Sequence, residues 1–220
     1  MQLVLTPELI LEAYRHGLFP MAYSGDSEYV HWICPELRGQ LPIAELHIPR
    51  RLNQTLRAAP FDIRIDIGFE AVMRACAEKR QKRPETWINE EIIESFCALH
   101  ERGHAHSVEC WDGSKLVGGV YGLKIGAAFF GESMFSRARD ASKIALVHLT
   151  ARLWRGGFRI FDTQFINDHL KQFGVYEIPH ERYMQHLNDA LGHNADFALN
   201  DLSTANILEE YLNMKRETGV

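Results

Sequence analysis

Apolar residues recur every three or four positions in some stretches of the chain and alternate with polar ones in others, so helices and strands are both expected. "TPELILEAYRHG" reads as a helix with Thr6 as N-cap, Pro7 in the first turn, Glu8 beside it and Gly17 as the stop. "LFPMAYSGDSEYVHWICPELRG" then reads as turn-rich, with scattered aromatics, and residues 1–37 as a small N-terminal domain. Beyond Gln40 the pattern predicts a strand at "ELHIP", a helix at "RRLNQTLRAAP", a strand at "FDIRIDI" and a helix at "FEAVMRACAEKR". Asn89 caps a further helix, "NEEIIESFCALHERG". Strands follow at "AHSVECWD", "KLVGGVYGLKIG" and "AAFFGESMFS", the first two joined by a "DGS" turn. Asp140 is the expected cap of the helix "DASKIALVHLTARLWRGG", which leads into the strand "FRIFDTQFI". Helices at "HERYMQHLNDAL" and "ANILEEYLNMKRE" close the chain. This mixture predicts an α+β fold, with residues 38–220 forming the main domain and ending in a helical tail.

Two of these strands are interrupted by polar groups. Asp162 and Gln164 share one face of an apolar run, and Glu132 lies among Phe129, Phe130, Met134 and Phe135. Burying such a group without a partner costs roughly 2–7 kcal/mol, so these positions predict either structural hydrogen bonds or a ligand site. If the two strands pair, all three groups meet in one cleft.

Three other motifs carry less. "HERGH" matches a zinc-protease signature, but Gly103 ends the helix before His104 can face His100, so no metal is expected there. The glycines of "GGVYGLKIG" lie inside strands, where they allow close backbone approach rather than cradle a phosphate. Cys34, Cys76, Cys97 and Cys110 form no paired motif and are expected to be reduced and mostly structural.

Composition narrows the class. With 220 residues, 46% hydrophobic and 24% charged, the chain can bury a full core, and its net charge of −5 argues against wholesale wrapping of nucleic acid. Basic runs remain at Arg50, Arg51 and Arg57, at Lys79, Arg80, Lys82 and Arg83, and around Arg137, Arg139 and Lys143. No apolar run long enough for a membrane span or secretory leader is read, so a cytoplasmic protein is expected.

"AYRHGLFPM", "TWI", "FFGESMFSRARDASKIAL" and "DTQFINDHL", in this order, resemble the bacterial leucyl/phenylalanyl-tRNA–protein transferases. The resemblance implies an N-acetyltransferase-like (GNAT-like) catalytic domain with no metal or cofactor. It implies transfer of Leu or Phe, and Met less readily, from aminoacyl-tRNA to proteins beginning with Arg or Lys, for N-end-rule degradation. It places Asp162 and Gln164 at the chemistry, Glu132 beside the cationic acceptor, and the terminal adenine of the tRNA on Trp87. The expected aminoacyl pocket comprises Val120, Phe129, Gly131, Ser133, Met134, Leu146 and Phe161. A monomer without membrane partners is expected. Met21 stands where many members of that family carry Trp, and the chain opens close to its first helix. The rival readings are another aminoacyl- or acetyltransferase on the same fold, and a non-catalytic tRNA- or degron-binding module.

Overall fold

The computed structural model describes residues 5–27, 29–79 and 85–218. Helix α1 (Pro7–Arg15) starts where Thr6 Oγ1 accepts the Leu9 amide, and it leads into the hairpin β1 (Phe19–Ala22) and β2 (Val30–Ile33). The long aromatic stretch is thus a two-stranded sheet rather than a run of turns, since Phe19 and Ala22 find a buried face.

Strand β3 (Leu37–Gln40) begins the main sheet, followed by α2 (Arg50–Ala58), β4 (Asp62–Ile65), α3 (Phe69–Ala77) and α4 (Glu90–Glu101). "ELHIP" forms no strand. It follows Pro42, ends in Pro49 and makes a lateral bond from His47 N to Phe173 O, while Leu46 is buried as an anchor. The meander β5 (Ala105–Asp112), β6 (Lys115–Ile125) and β7 (Ala128–Ser136) is antiparallel throughout. Helix α5 (Ala141–Arg155) then carries the chain to β8 (Ile160–Gln164), which pairs with β7 in parallel. Asp140 precedes α5 at φ 60° and makes no cap bond; its carboxylate faces Lys143 Nζ at 3.1 Å instead. Short α6 (Asp168–Lys171), β9 (Tyr176–Pro179), α7 (His180–Leu191) and α8 (Thr204–Thr218) complete the chain. The sheet order is β4-β5-β6-β7-β8-β3-β9.

Strand alternation divides the core between the two faces of this sheet. Tyr121, Phe130 and Ile160 point into a cluster with α1, α3, α4 and α7. Their neighbours Val120, Phe129 and Phe161 point into a second cluster with α2, α5 and α8. Helix α5 can lie close on the sheet because Gly118 has no side chain: a Cβ there would sit 2.4 Å from Ala141 Cβ. The fold is therefore mixed α+β, with a small N-terminal part and one mixed sheet.

Candidate active site

The pairing of β7 with β8 ends at Phe130 and Asp162, and beyond it the strands part. At that point β7 also breaks register with β6: Gly122 faces Gly131 and Tyr121 faces Ser133, which leaves Glu132 as the extra residue of a β-bulge. The bulge reverses the alternation. Phe130 and Phe135, five positions apart, reach the same cluster, whereas unbroken period two would send them to opposite faces. Glu132 is thereby aimed into the gap between the strands, which holds a cavity of about 420 Å³.

Glu132 Oε1 accepts the Tyr14 hydroxyl at 2.7 Å and the Gln164 side-chain amide at 3.0 Å. Burial pushes the Glu132 carboxyl up to about 8, against the opposing pull of the Tyr14 bond. Burial and the adjacent Glu132 hold the Tyr14 phenol well above the ordinary tyrosine value, so it serves as a donor.

Gln164 ends β8 at φ 57°, a left-handed conformation that is uncommon outside glycine. Its amide N–H donates to Asp162 Oδ1 at 2.8 Å, and that bond fixes the turn. Gly39 lies opposite in β3, where a Cβ would come within 2.8 Å of Thr163 Oγ1 and 3.1 Å of the Phe165 backbone. Asp162 itself is fully enclosed. Arg38 Nε lies 3.0 Å from both its carboxylate oxygens, Arg38 Nη2 lies 2.8 Å from Oδ2, and the Tyr183 hydroxyl adds a 2.7 Å bond. Arg38 is also fully buried, between the rings of Phe19 and Tyr183, and donates to the Gly17 carbonyl at 2.6 Å. The buried charge of Asp162 is therefore matched by a buried guanidinium.

The three polar residues singled out in the sequence converge, but in layers. Glu132 lines the cavity, whereas Gln164 and Asp162 stand behind it, outside the lining. Val120, Gly131, Ser133, Met134, Leu146 and Phe161 line the cavity, as does Trp87. Phe129 does not; it packs in the core behind Phe161, with ring centroids 5.8 Å apart. Trp87 also borders a second hollow of about 510 Å³, with Met21, Tyr23 and Trp32.

Sequence reasoning missed Tyr14, Arg38 and Tyr183, which are separated from their partners by 118, 124 and 21 residues. The one available signal for Arg38 was an arginine in "LRGQ", too short a run to read as a strand. Thr163 and His169 were missed as well. Both line the cavity, and Thr163 Oγ1 and His169 Nε2 are buried with no hydrogen-bond partner among the described residues. Burial lowers the His169 value, which keeps its ring neutral near pH 7.

The remaining candidates lie elsewhere. His100 stacks on Phe69 and bonds to the Ala105 carbonyl, while His104 lies beyond Gly103 and turns to the Lys124 carbonyl. Among the described residues no group of three His, Cys, Asp or Glu side chains is placed to hold a metal. Burial raises the Cys97 thiol to about 11 and the Cys110 thiol to about 12, so neither is a thiolate at neutral pH. Of the basic runs, Arg80, Lys82 and Arg83 lie outside the described residues. Arg137 is paired with Glu78 and Lys143 with Asp140.

A family profile described as leucyl/phenylalanyl-tRNA protein transferase matches residues 40–188, and the profile of that family's N-terminal domain matches residues 4–36. A leucyl/phenylalanyl-tRNA–protein transferase from Paramagnetospirillum magneticum is 58% identical over 196 residues, covering 89% of this chain and 94% of its own length. Proteins of the same name from Phenylobacterium zucineum and Nitrobacter winogradskyi are 54% and 51% identical, over 86% and 88% of this chain and 85% and 86% of theirs. No helix among the described residues is long and apolar enough to cross a membrane.

Proposed function

The chain belongs to the leucyl/phenylalanyl-tRNA protein transferase family and is an aminoacyltransferase; from that premise we propose that the cavity between β7 and β8 receives the esterified 3′ end of an aminoacyl-tRNA. The transferred residue is Leu or Phe, and Met less readily. The acceptor is the α-amine of a protein beginning with Arg or Lys, which transfer marks for N-end-rule degradation. The chain acts as a monomer in the cytoplasm. We read the sheet as N-acetyltransferase-like, on the ground that a parallel strand pair joined through a helix parts to open the site.

The reaction joins the acceptor nitrogen to the ester carbonyl carbon and breaks the bond from that carbon to the ribose oxygen. One proton must pass from the amine to the departing oxygen, and Glu132 is the group we assign to carry it. Burial raises its value to about 8, which lets the carboxyl both hold and release a proton near neutral pH. Gln164, behind the cavity lining, is a positioning residue that steadies the Glu132 carboxyl with its side-chain amide. Asp162 is a positioning residue: it holds the Gln164 backbone and is neutralised by Arg38.

Val120, Met134, Leu146 and Phe161, with the backbone of Gly131 and Ser133, form the apolar wall for the transferred side chain, and Phe129 supports Phe161 from behind. One methylene is worth only ~1–3 kcal/mol in such a pocket, which explains tolerance of Leu, Phe and Met together. Trp87 offers a stacking face for the terminal adenine, worth ~1–3 kcal/mol. Thr163 Oγ1 and His169 Nε2, which have no hydrogen-bond partner among the described residues, match the ribose hydroxyls.

The observation that carries this reading is the bulged Glu132, set at the wall of a cavity with one apolar side and fixed by Gln164 and Tyr14. Incubation with radiolabelled Leu-tRNA and an Arg-starting peptide tests it, with acetyl-CoA as the alternative donor. Label moves to the peptide from Leu-tRNA alone. Failure of that transfer, or acetylation in its place, overturns the reading.

A further inference from the structure

Lys215, in the last turn of α8, is only 7% exposed, and its ammonium has no hydrogen-bond partner or ion pair among the described residues. Its nearest aromatic contact is Tyr211, whose ring centroid is 5.9 Å away, and the acid whose field reaches it is Glu45. An ammonium withdrawn from water without a partner is unfavourable, and burial lowers its proton affinity accordingly. Lys215 lines a hollow of about 150 Å³ together with His47, Asn53, Arg57 and Arg216.

The two arginines are uncommitted to acids. Arg57 bonds to Asn53 on its own helix and Arg216 to Asn213 on its own, and neither has a carboxylate partner among the described residues. By contrast, Arg155 on the neighbouring α5 pairs with Glu210. The His47 ring is held by the Gln172 carbonyl at 2.6 Å, so this side of the hollow is fixed in place. Three cationic side chains therefore face one small space in a chain whose net charge is negative.

We propose that this hollow, away from the transferase cavity, binds a single phosphate group through Lys215, Arg57 and Arg216. Its size is that of roughly five waters, enough for one tetrahedral oxyanion with residual water and too little for a nucleoside. A phosphate supplies the partner that the buried ammonium lacks, and its remaining oxygens suit the guanidinium forks. Free inorganic phosphate and a backbone phosphate of tRNA share this chemistry. The site does not depend on the transferase reading, because none of its residues lines the β7/β8 cavity.

The test uses the full chain. Inorganic phosphate at 0 to ~50 mM, against chloride of equal ionic strength, raises the thermal midpoint of the wild type by about 3 °C. Lys215→Met and the surface pair Arg57→Gln/Arg216→Gln each lose most of that rise; the pair serves if the buried substitution fails to fold. A wild type that answers phosphate no more than chloride overturns the site, as do variants that respond like the wild type. Deacylated tRNA then identifies the source. If a backbone phosphate occupies the hollow, Lys215→Met weakens tRNA binding about 3- to 10-fold and lowers the salt slope by about one. Unchanged tRNA binding, with the phosphate response lost, assigns the site to the free ion.

Discussion

Asp162 collects the Arg38 guanidinium, the Tyr183 hydroxyl and the Gln164 amide inside the protein, so its charge is matched only while all three remain. Arg38→Met leaves that carboxylate buried and uncompensated, a change that costs about 3–5 kcal/mol. Urea unfolding measures the loss, and adding Asp162→Leu to the Arg38→Met variant recovers part of it, because the orphaned charge is then gone. Glu132 shows the opposite case, a carboxyl held toward its neutral form. Its folded value of about 8 stands above the ordinary 4.5, so the folded state keeps a proton that the unfolded chain releases. Its contribution is full below about 4.5 and fades as pH rises through 8. From pH 5.5 to 7.5 the wild type should therefore lose stability relative to Glu132→Gln, by about 1 kcal/mol per pH unit. Parallel stability curves for the two proteins would contradict the raised value.

At the scale of elements, the site depends on where strands stop being regular. Gly39→Ala places a methyl group against Thr163 and the Phe165 backbone, at a cost of about 1–3 kcal/mol. The Gln164 turn shifts with it, and turnover falls at least ~10-fold, since small displacements at a reacting centre are expensive. Circular dichroism melts and single-turnover transfer check the two effects separately. The elements legible in the sequence were those with local chemistry of their own. Thr6 and Asn89 make the cap bonds that their positions predicted, and β5 to β8 follow apolar runs broken by the polar residues of the site. The bulge at Glu132 left no local mark, because its cause is register with Gly122 and Tyr121 on another strand. Strand β3 was hidden because four residues, one of them glycine, become a strand only between β8 and β9. "ELHIP" misled for the converse reason: its alternation serves one buried anchor, Leu46, with no strand beside it.

Across the whole molecule, distant parts of the chain complete one site. The N-terminal part supplies the Tyr14 hydroxyl and the Gly17 carbonyl, the middle supplies Glu132, and α7 supplies Tyr183. The same apolar cluster joins α1, α3, α4 and α7 on one face of the sheet. Differential scanning calorimetry should accordingly give a single transition, with fluorescence and far-UV signals melting together. A separate early transition of the N-terminal residues would show that this cluster is not cooperative. The residue types at the chemistry were readable because polar groups inside apolar strands stand out; their partners were not, because contacts between residues 21 to 124 positions apart leave no spacing to detect.

Glu132, held by Gln164 and Tyr14 at the wall of the cavity, is assigned to carry the proton from the acceptor amine to the departing ribose oxygen. Single-turnover transfer of Leu from charged tRNA to an Arg-starting peptide, compared between the wild type and Glu132→Gln at pH 8, tests it most directly. The expected result is a loss of about 100-fold or more, with charged-tRNA affinity changed by less than about 3-fold, since the neutral amide keeps the cavity's shape. A Glu132→Gln enzyme within about 3-fold of the wild-type rate would contradict it.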